Sequence, residues 1–269
     1  MIKIIKGPTA VHLFILALTL IVAFPGDTLA QQSVRAISCL GRIEPAGGVV
    51  RLSGPTALGA VIMDMKVTEG DWVEEGQPIA ILDSYPVSKA EYDALKVDLE
   101  LAEANLRREQ KLVRSQATSA SKIETLELAV KAAQAKLAAA AATLNLSIVK
   151  APRKAQVIAI HAHPGERIGV DGIVEIGQTD TMYAVAEVYE TDIAQVKPGQ
   201  SAVIKSPALP RPVKGTVESV GLKVGRIDVL GMDPIAQADA RVIEVDIRLE
   251  DTELVQALTN LQVEVEINP

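Results

Sequence analysis

The sequence predicts a mainly β, elongated and modular chain, interrupted once by an α-helical coiled-coil hairpin. Three observations predict it. Two glycine-punctuated β half-motifs stand far apart, one over Val61–Asp83 and the other over Ile148–Gly177. Between them run two apolar seams at heptad spacing, joined by a short polar stretch. After Met182, short apolar runs alternate with Gly and Pro, the pattern of a small barrel or sandwich.

Composition agrees with several thin cores. Of the 269 residues only 3% are aromatic, and the 48% hydrophobic content is mostly Ala, Val, Ile and Leu. That mixture suits small β-cores and an alanine-tolerant coiled coil better than one thick globule. The net charge of -7, with no basic stripe, argues against a nucleic-acid partner. Cys39 is the single cysteine, so no internal disulfide is available. It lies well past the apolar amino-terminal run, behind Arg35, which argues against lipid attachment and for a small apolar side chain.

The chain opens with Lys3 and Lys6, runs apolar from Ala10 to Phe24, and reaches small residues at Thr28-Leu29-Ala30. Residues 1–30 therefore read as a signal peptide or a membrane anchor, and both stay open because the apolar run approaches spanning length. The two lysines hold the amino terminus in the cytoplasm, so the rest of the chain crosses the membrane. Residues 31–40 read as a linker or membrane-proximal strand.

In the first half-motif the strands are separated by Glu69-Gly70-Asp71 and Glu75-Gly76-Gln77, where Gly70 and Gly76 serve as structural turns. Residues 84–145 form the hairpin. Its first seam is Tyr92, Leu95, Leu99, Ala102, Leu106 and Val113, with Glu109 as the polar interruption. Its second is Ile123, Leu126, Val130, Ala133, Leu137, Ala140 and Leu144. Seams of similar length with a short turn predict an antiparallel pair. Pro86 stops the preceding strand, and Ser88 with Glu91 and Ser121 with Glu124 fit capping boxes. Pro152 bends the chain out of the second helix, and Gly165 turns between the next strands. Residues 180–269 form the β-barrel region, with Gly199 in a turn. Residues 222–241 are a long connection, and Asp251–Ala257 holds a helical turn or two.

Gly41-Arg42-Ile43-Glu44-Pro45, the run Glu69-Gly70-Asp71-x-Val73-x-x-Gly76-Gln77, the hairpin, Lys150-Ala151-Pro152 and Val196-Lys197-Pro198-Gly199-Gln200 succeed one another in order. This succession resembles the HlyD-type membrane fusion proteins, the periplasmic adaptors of tripartite exporters. The opening motif with Val50-Arg51-Leu52-Ser53-Gly54-Pro55 after it is most similar to the DevB-type adaptors of ABC exporters.

The resemblance implies a barrel-sandwich hybrid, or lipoyl-like, module built from residues 41–83 plus 146–179, followed over 180–269 by a β-barrel domain and membrane-proximal C-terminus. It further implies a homo-hexamer in the periplasm between an inner-membrane transporter, ABC type favoured over proton-driven, and a TolC-like outer-membrane channel. It implies no enzymatic activity and no cofactor. The family's tip motif has the spacing of Arg108, Leu112 and Ser119, which makes these the expected channel contacts. Ala155 departs from the glycine usual after the Ala-Pro turn.

Two other chemistries are weighed. The module resembles biotinyl and lipoyl carriers, and Met65-Lys66-Val67 faintly echoes a modified lysine, yet it precedes the Glu-Gly-Asp turn on a strand. A carrier lysine belongs on the exposed turn between the halves, which the hairpin occupies. His161 and His163 would point the same way on a strand, as two ligands of one metal do. With no third histidine or cysteine nearby, and only Glu166 as a further donor, a solvent-facing pair is the expectation and no metal is assigned. No catalytic constellation stands out.

Overall fold

The computed structural model describes residues 35–54, 59–113, 118–226 and 241–268. Residues 1–30, expected as a signal peptide or membrane anchor, the first part of the 31–40 segment, the core of the hairpin turn, the Val113 side chain and most of the 222–241 connection lie outside them.

β1 (Ile37–Leu52) begins with strict alternation: Ile37, Cys39 and Ile43 are buried, while Ser38, Arg42 and Glu44 point the other way. A period of two is what a strand with one buried face requires. Five further strands share this core: β7 (Val174–Tyr189), β8 (Ser201–Lys205), β9 (Val213–Arg226), β10 (Arg241–Leu249) and β11 (Gln262–Ile267). The pairing runs β1-β11-β8-β9-β10-β7 and returns from β7 to β1, so six antiparallel strands close into a barrel without an edge. Ile43, Met182, Ile204, Ile247 and Ile267 are completely buried inside it, each contributing about 1.5–3 kcal/mol of burial.

The sixth strand differs from the sequence reading, which divides residues 31–45 between a linker and the first module. Ile37–Arg42 pairs with β11, and Leu40–Pro45 pairs with β7. A strand whose partners lie so far downstream leaves no local trace. The 222–241 connection is also shorter than expected, because β9 runs on to Arg226 and β10 starts at Arg241.

β1 and β7 outlast the barrel. Their register slips between Pro45 and Val50, where Gly47 and Gly48 take φ values of 69° and 71°. Beyond that break Val50–Leu52 pairs with Val174–Ile176 beside a second core. This core draws on β2 (Ile62–Met65), β3 (Trp72–Val73), β4 (Pro78–Leu82), β5 (Ile148–Lys150), β6 (Ala155–Ile160) and the start of β7.

Side chains from both half-motifs fill it: Ile62, Val73, Ile79 and Leu82 from the first, Val149, Val157 and Ile176 from the second. The turns lock the halves together. The Gly70 N–H donates to the Val157 carbonyl and the Val157 N–H to the Asp71 carbonyl, both at 2.8 Å. The Gly76 N–H donates to the Ala151 carbonyl at 2.8 Å. Gly70 and Gly76 adopt φ of 89° and 79°, a region costly to any residue with a Cβ. Ala155 is completely buried and opens β6 opposite Val73, so its methyl belongs to the core.

The hairpin leaves from β4 and returns into β5, two strands hydrogen-bonded to one another. α1 (Tyr85–Val113) and α2 (Ala120–Leu146) have 29 and 27 residues, roughly 40 Å each at helical rise. Tyr92, Leu95, Leu99, Ala102 and Leu106 on α1, and the expected seam positions on α2, are half-buried, and Ala140 is buried.

The caps differ from expectation. Pro86 sits in the first turn of α1, where its missing N–H costs nothing, so Ser88 lies inside the helix with its N–H bonded to the Ser84 carbonyl. α2 starts one residue before Ser121, and Ser119 is its N-cap, accepting the Lys122 N–H at 3.2 Å. Lys122 at the third helical position precludes a reciprocal box.

Candidate docking site at the hairpin tip

Arg108 and Leu112 lie one turn apart on the same face of α1, close to its end. Arg108 is exposed and donates to the Asn105 side-chain carbonyl, and Leu112 is 44% exposed. Ser119 opens the second arm. Across the same end, the Thr118 hydroxyl donates to Glu109, the residue that interrupts the first seam. That seam carboxylate therefore ties the two arms where the chain reverses. The tip offers a forked cationic donor, a large apolar side chain and a hydroxyl with one acceptor lone pair committed to the cap.

Gly165 and Gly199 occupy turns at φ of 90° and 93°, and Pro152 stands exposed between β5 and β6. Lys66 comes directly after β2, its N–H bonded to the Ile79 carbonyl at 2.8 Å and its ammonium paired with Asp64 at 2.5 Å. His161 and His163 fall beyond the end of β6 and turn to different carboxylates. The His161 Nε2 is 3.3 Å from Glu175 and the His163 Nδ1 is 3.5 Å from Glu166.

Solved structures share this fold, and curated relatives share part of the sequence. The macrolide export protein MacA of Escherichia coli O157:H7 is 27% identical over 215 residues, which cover 68% of this chain and 56% of that protein. The chain thus spans little more than half the length of the curated relatives it matches. A MacA-MexA chimeric protein carrying the Pseudomonas aeruginosa MexA α-hairpin superposes with a TM-score of 0.70 at 20% identity, over 87% of this chain and 82% of that one. The membrane fusion protein Spr0693 of Streptococcus pneumoniae R6 gives 0.59 at 17% identity, over 86% and 98%. The chain shares the fold of these membrane fusion proteins. No family model matches it.

Two further features of the chain stand out in the structure. On the outer wall of the barrel, Arg42 donates to Glu44 at 2.6 Å, to Glu187 at 3.3 Å and to Glu244 at 2.8 Å. Burial pulls the guanidinium toward neutrality, and the hydrogen bonds to Glu244 and Glu44 more than offset it, so it stays charged. Its partners on β7 and β10 are distant in sequence, and no local pattern foretells the cluster.

The second feature has a sequence signal, a further heptad row on each arm. On α1 it is Val87, Ala90, Ala94, Val97, Leu101 and Ala104, ending at Arg108; on α2 it is Thr125, Leu128, Ala132, Ala135, Ala139, Ala142 and Leu146. Val87, Val97, Leu101, Leu128 and Leu146 are 73%, 62%, 57%, 59% and 48% exposed. One apolar row faces the partner arm and the other, apart from a half-buried Ala104, is left bare.

Proposed function

We propose that this protein is a non-catalytic periplasmic adaptor that joins an inner-membrane exporter, of ABC type, to a TolC-like outer-membrane channel. Several copies, six in the closed ring, set their hairpins side by side, and the tips carrying Arg108, Leu112 and Ser119 meet the channel. The amino-terminal leader carries the chain into the periplasm or holds it at the inner membrane.

One observation carries the reading: the bare second heptad rows on both arms of a hairpin rooted in paired strands. A solitary two-helix coil needs one seam. A helix with two apolar faces is built for two neighbours, and a second copy in a closed ring supplies the missing one through the opposite arm. The small residues on the α2 row allow close approach. The relationship to a protein named for macrolide export supports export as the process, without passing on the cargo.

Arg108→Asp tests the tip. Its side chain is exposed, so the variant folds as the parent does, while co-purification of an outer-membrane channel from crosslinked cells is lost together with export. Normal recovery of the channel with this variant removes the tip from the account.

A further inference from the structure

The bare rows of the hairpin are bordered by charge, and the borders on the two arms are opposite in sign. By helical spacing, the α1 row through Val97 and Leu101 has Glu91 and Asp98 on one flank, and Asp93, Glu100 and Arg107 on the other. The α2 row through Leu128 and Ala132 has Lys122 and Lys136 on the first flank, and Glu124 and Lys131 on the second. Glu91, Glu100, Arg107, Glu124, Lys131 and Lys136 are all exposed. Arg107 reaches Glu103 on its own helix at 3.3 Å, and the other five make no ion pair among the described residues. The chain between the arms, 114–117, contributes a single charge, Arg114, a cation like Arg107.

Two hairpins standing side by side bring α1 of one copy against α2 of the next, running antiparallel, so corresponding flanks meet. Within one copy Ile81 pairs with Ile148 at the root, which brings Leu101 near the level of Leu128. In that register Val97 meets Ala132 and Leu101 meets Leu128. Glu91 then comes to Lys136, Glu100 to Lys131 and Arg107 to Glu124, each offset along the axis by about 3 Å at helical rise. Lys122 comes to the neutral Asn105. A slip of one heptad spoils the match: in one direction Lys131 falls beside Arg107, in the other Glu124 falls beside Glu100. A symmetric contact of α1 on α1 sets Asp93 and Glu100 against Glu91 and Asp98. Exposed ion pairs are individually weak, so the selection comes from the like charges that the wrong arrangements bring together.

We propose that copies of this chain dock head to tail through their hairpins, α1 of one lying level against α2 of the next, with Glu91–Lys136, Glu100–Lys131 and Arg107–Glu124 fixing the register. The proposal rests on the adaptor reading for the presence of neighbouring copies, and adds which arms meet and at what height. A head-to-tail contact leaves one arm unused at each end of the row, so it repeats until a ring closes.

Disulfide trapping in cells that make the full chain tests the register. Ala94→Cys with Ala135→Cys places two thiols level on facing bare rows, and the native Cys39 is buried. Both positions turn away from the partner arm of their own hairpin, so oxidation joins different copies and gives a ladder of dimers, trimers and larger species. Leu101→Cys with Ala135→Cys, one heptad out, gives a ladder about fivefold weaker. Added to the level pair, Glu100→Lys or Lys131→Glu lowers the yield about fivefold, and the two together restore it, which also shows that neither change acts through misfolding. Equal ladders from the two cysteine pairs, an exchange that restores nothing, or dimers of equal yield from Ala94→Cys alone overturn the proposal. So does a level pair that forms no ladder while the outer-membrane channel is still recovered with the protein, a result that leaves the adaptor reading standing. A ladder from copies that recover no channel upholds the contact and counts against the hairpin tip alone.

Discussion

Gly41 on β1 faces the backbone of Val185 on β7 so closely that a Cβ at position 41 would lie 2.6 Å from the Val185 carbonyl oxygen. The contact sits in the long strand pair shared by the barrel and the second core, and backbone cannot move aside as a side chain can. Gly41→Ala is expected to cost about 1–3 kcal/mol, as overpacking does. In a chain of this size that lowers the melting temperature by roughly 2–4 °C per kcal/mol. A thermal melt matching the parent would show that the two strands have slack.

Cys39 points into the barrel core, where burial, followed by the charge of Glu187, pushes its thiol up to about 12. Thiolate is the reactive form, so the folded protein is expected to react with a thiol reagent at pH 8 at least a hundredfold more slowly than the unfolded chain. Prompt stoichiometric labelling of the native protein would contradict the burial.

Glu175 is held below the ordinary carboxylate value of 4.5, first by the hydrogen bond from Arg51, against an opposing push from burial, with His161 adding to the lowering. A carboxyl depressed on folding stabilises the fold above its unfolded value, and that contribution disappears as pH falls through the lower folded value. The expected signature is a loss of stability below about pH 4.5 that shrinks in Arg51→Gln, with the Glu175 titration followed by carboxyl NMR moving up. An unmoved titration would assign the depression to something other than Arg51.

Ser119 serves two readings that one pair of substitutions separates. As the N-cap of α2 it accepts the Lys122 N–H, and Ser119→Ala should cost about 1 kcal/mol and fray the tip. Ser119→Asp keeps a capping oxygen and loses the hydroxyl donor. Channel co-purification that survives in Ser119→Asp and fails in Ser119→Ala assigns the residue to capping. Failure in both assigns it to a hydrogen bond donated to the channel.

How much of the fold is legible in the sequence depends on the range of the interactions. The seams on α1 and α2 repeat every three or four residues and can be read one residue at a time, including Glu109, whose partner Thr118 lies just across the turn. The strands after Met182 alternate locally and are equally plain. The role of Ile37–Pro45 as the sixth barrel strand is hidden, because it depends on β7 and β11. The cluster around Arg42 is hidden for the same reason. The bare heptad rows are present in the sequence but are masked by the stronger seam beside them, and exposure separates the two. The choice of Ser119 over Ser121 as the cap turns on a shift of two residues that composition alone does not decide.

The central claim, that the hairpin tip reaches an outer-membrane channel, is tested most directly by a photo-crosslinking amino acid at Leu112 in the cells that make this protein. The account predicts an adduct with a channel protein of the outer membrane, lost when Arg108→Asp is added. Adducts confined to inner-membrane proteins, or to further copies of this chain, would contradict it.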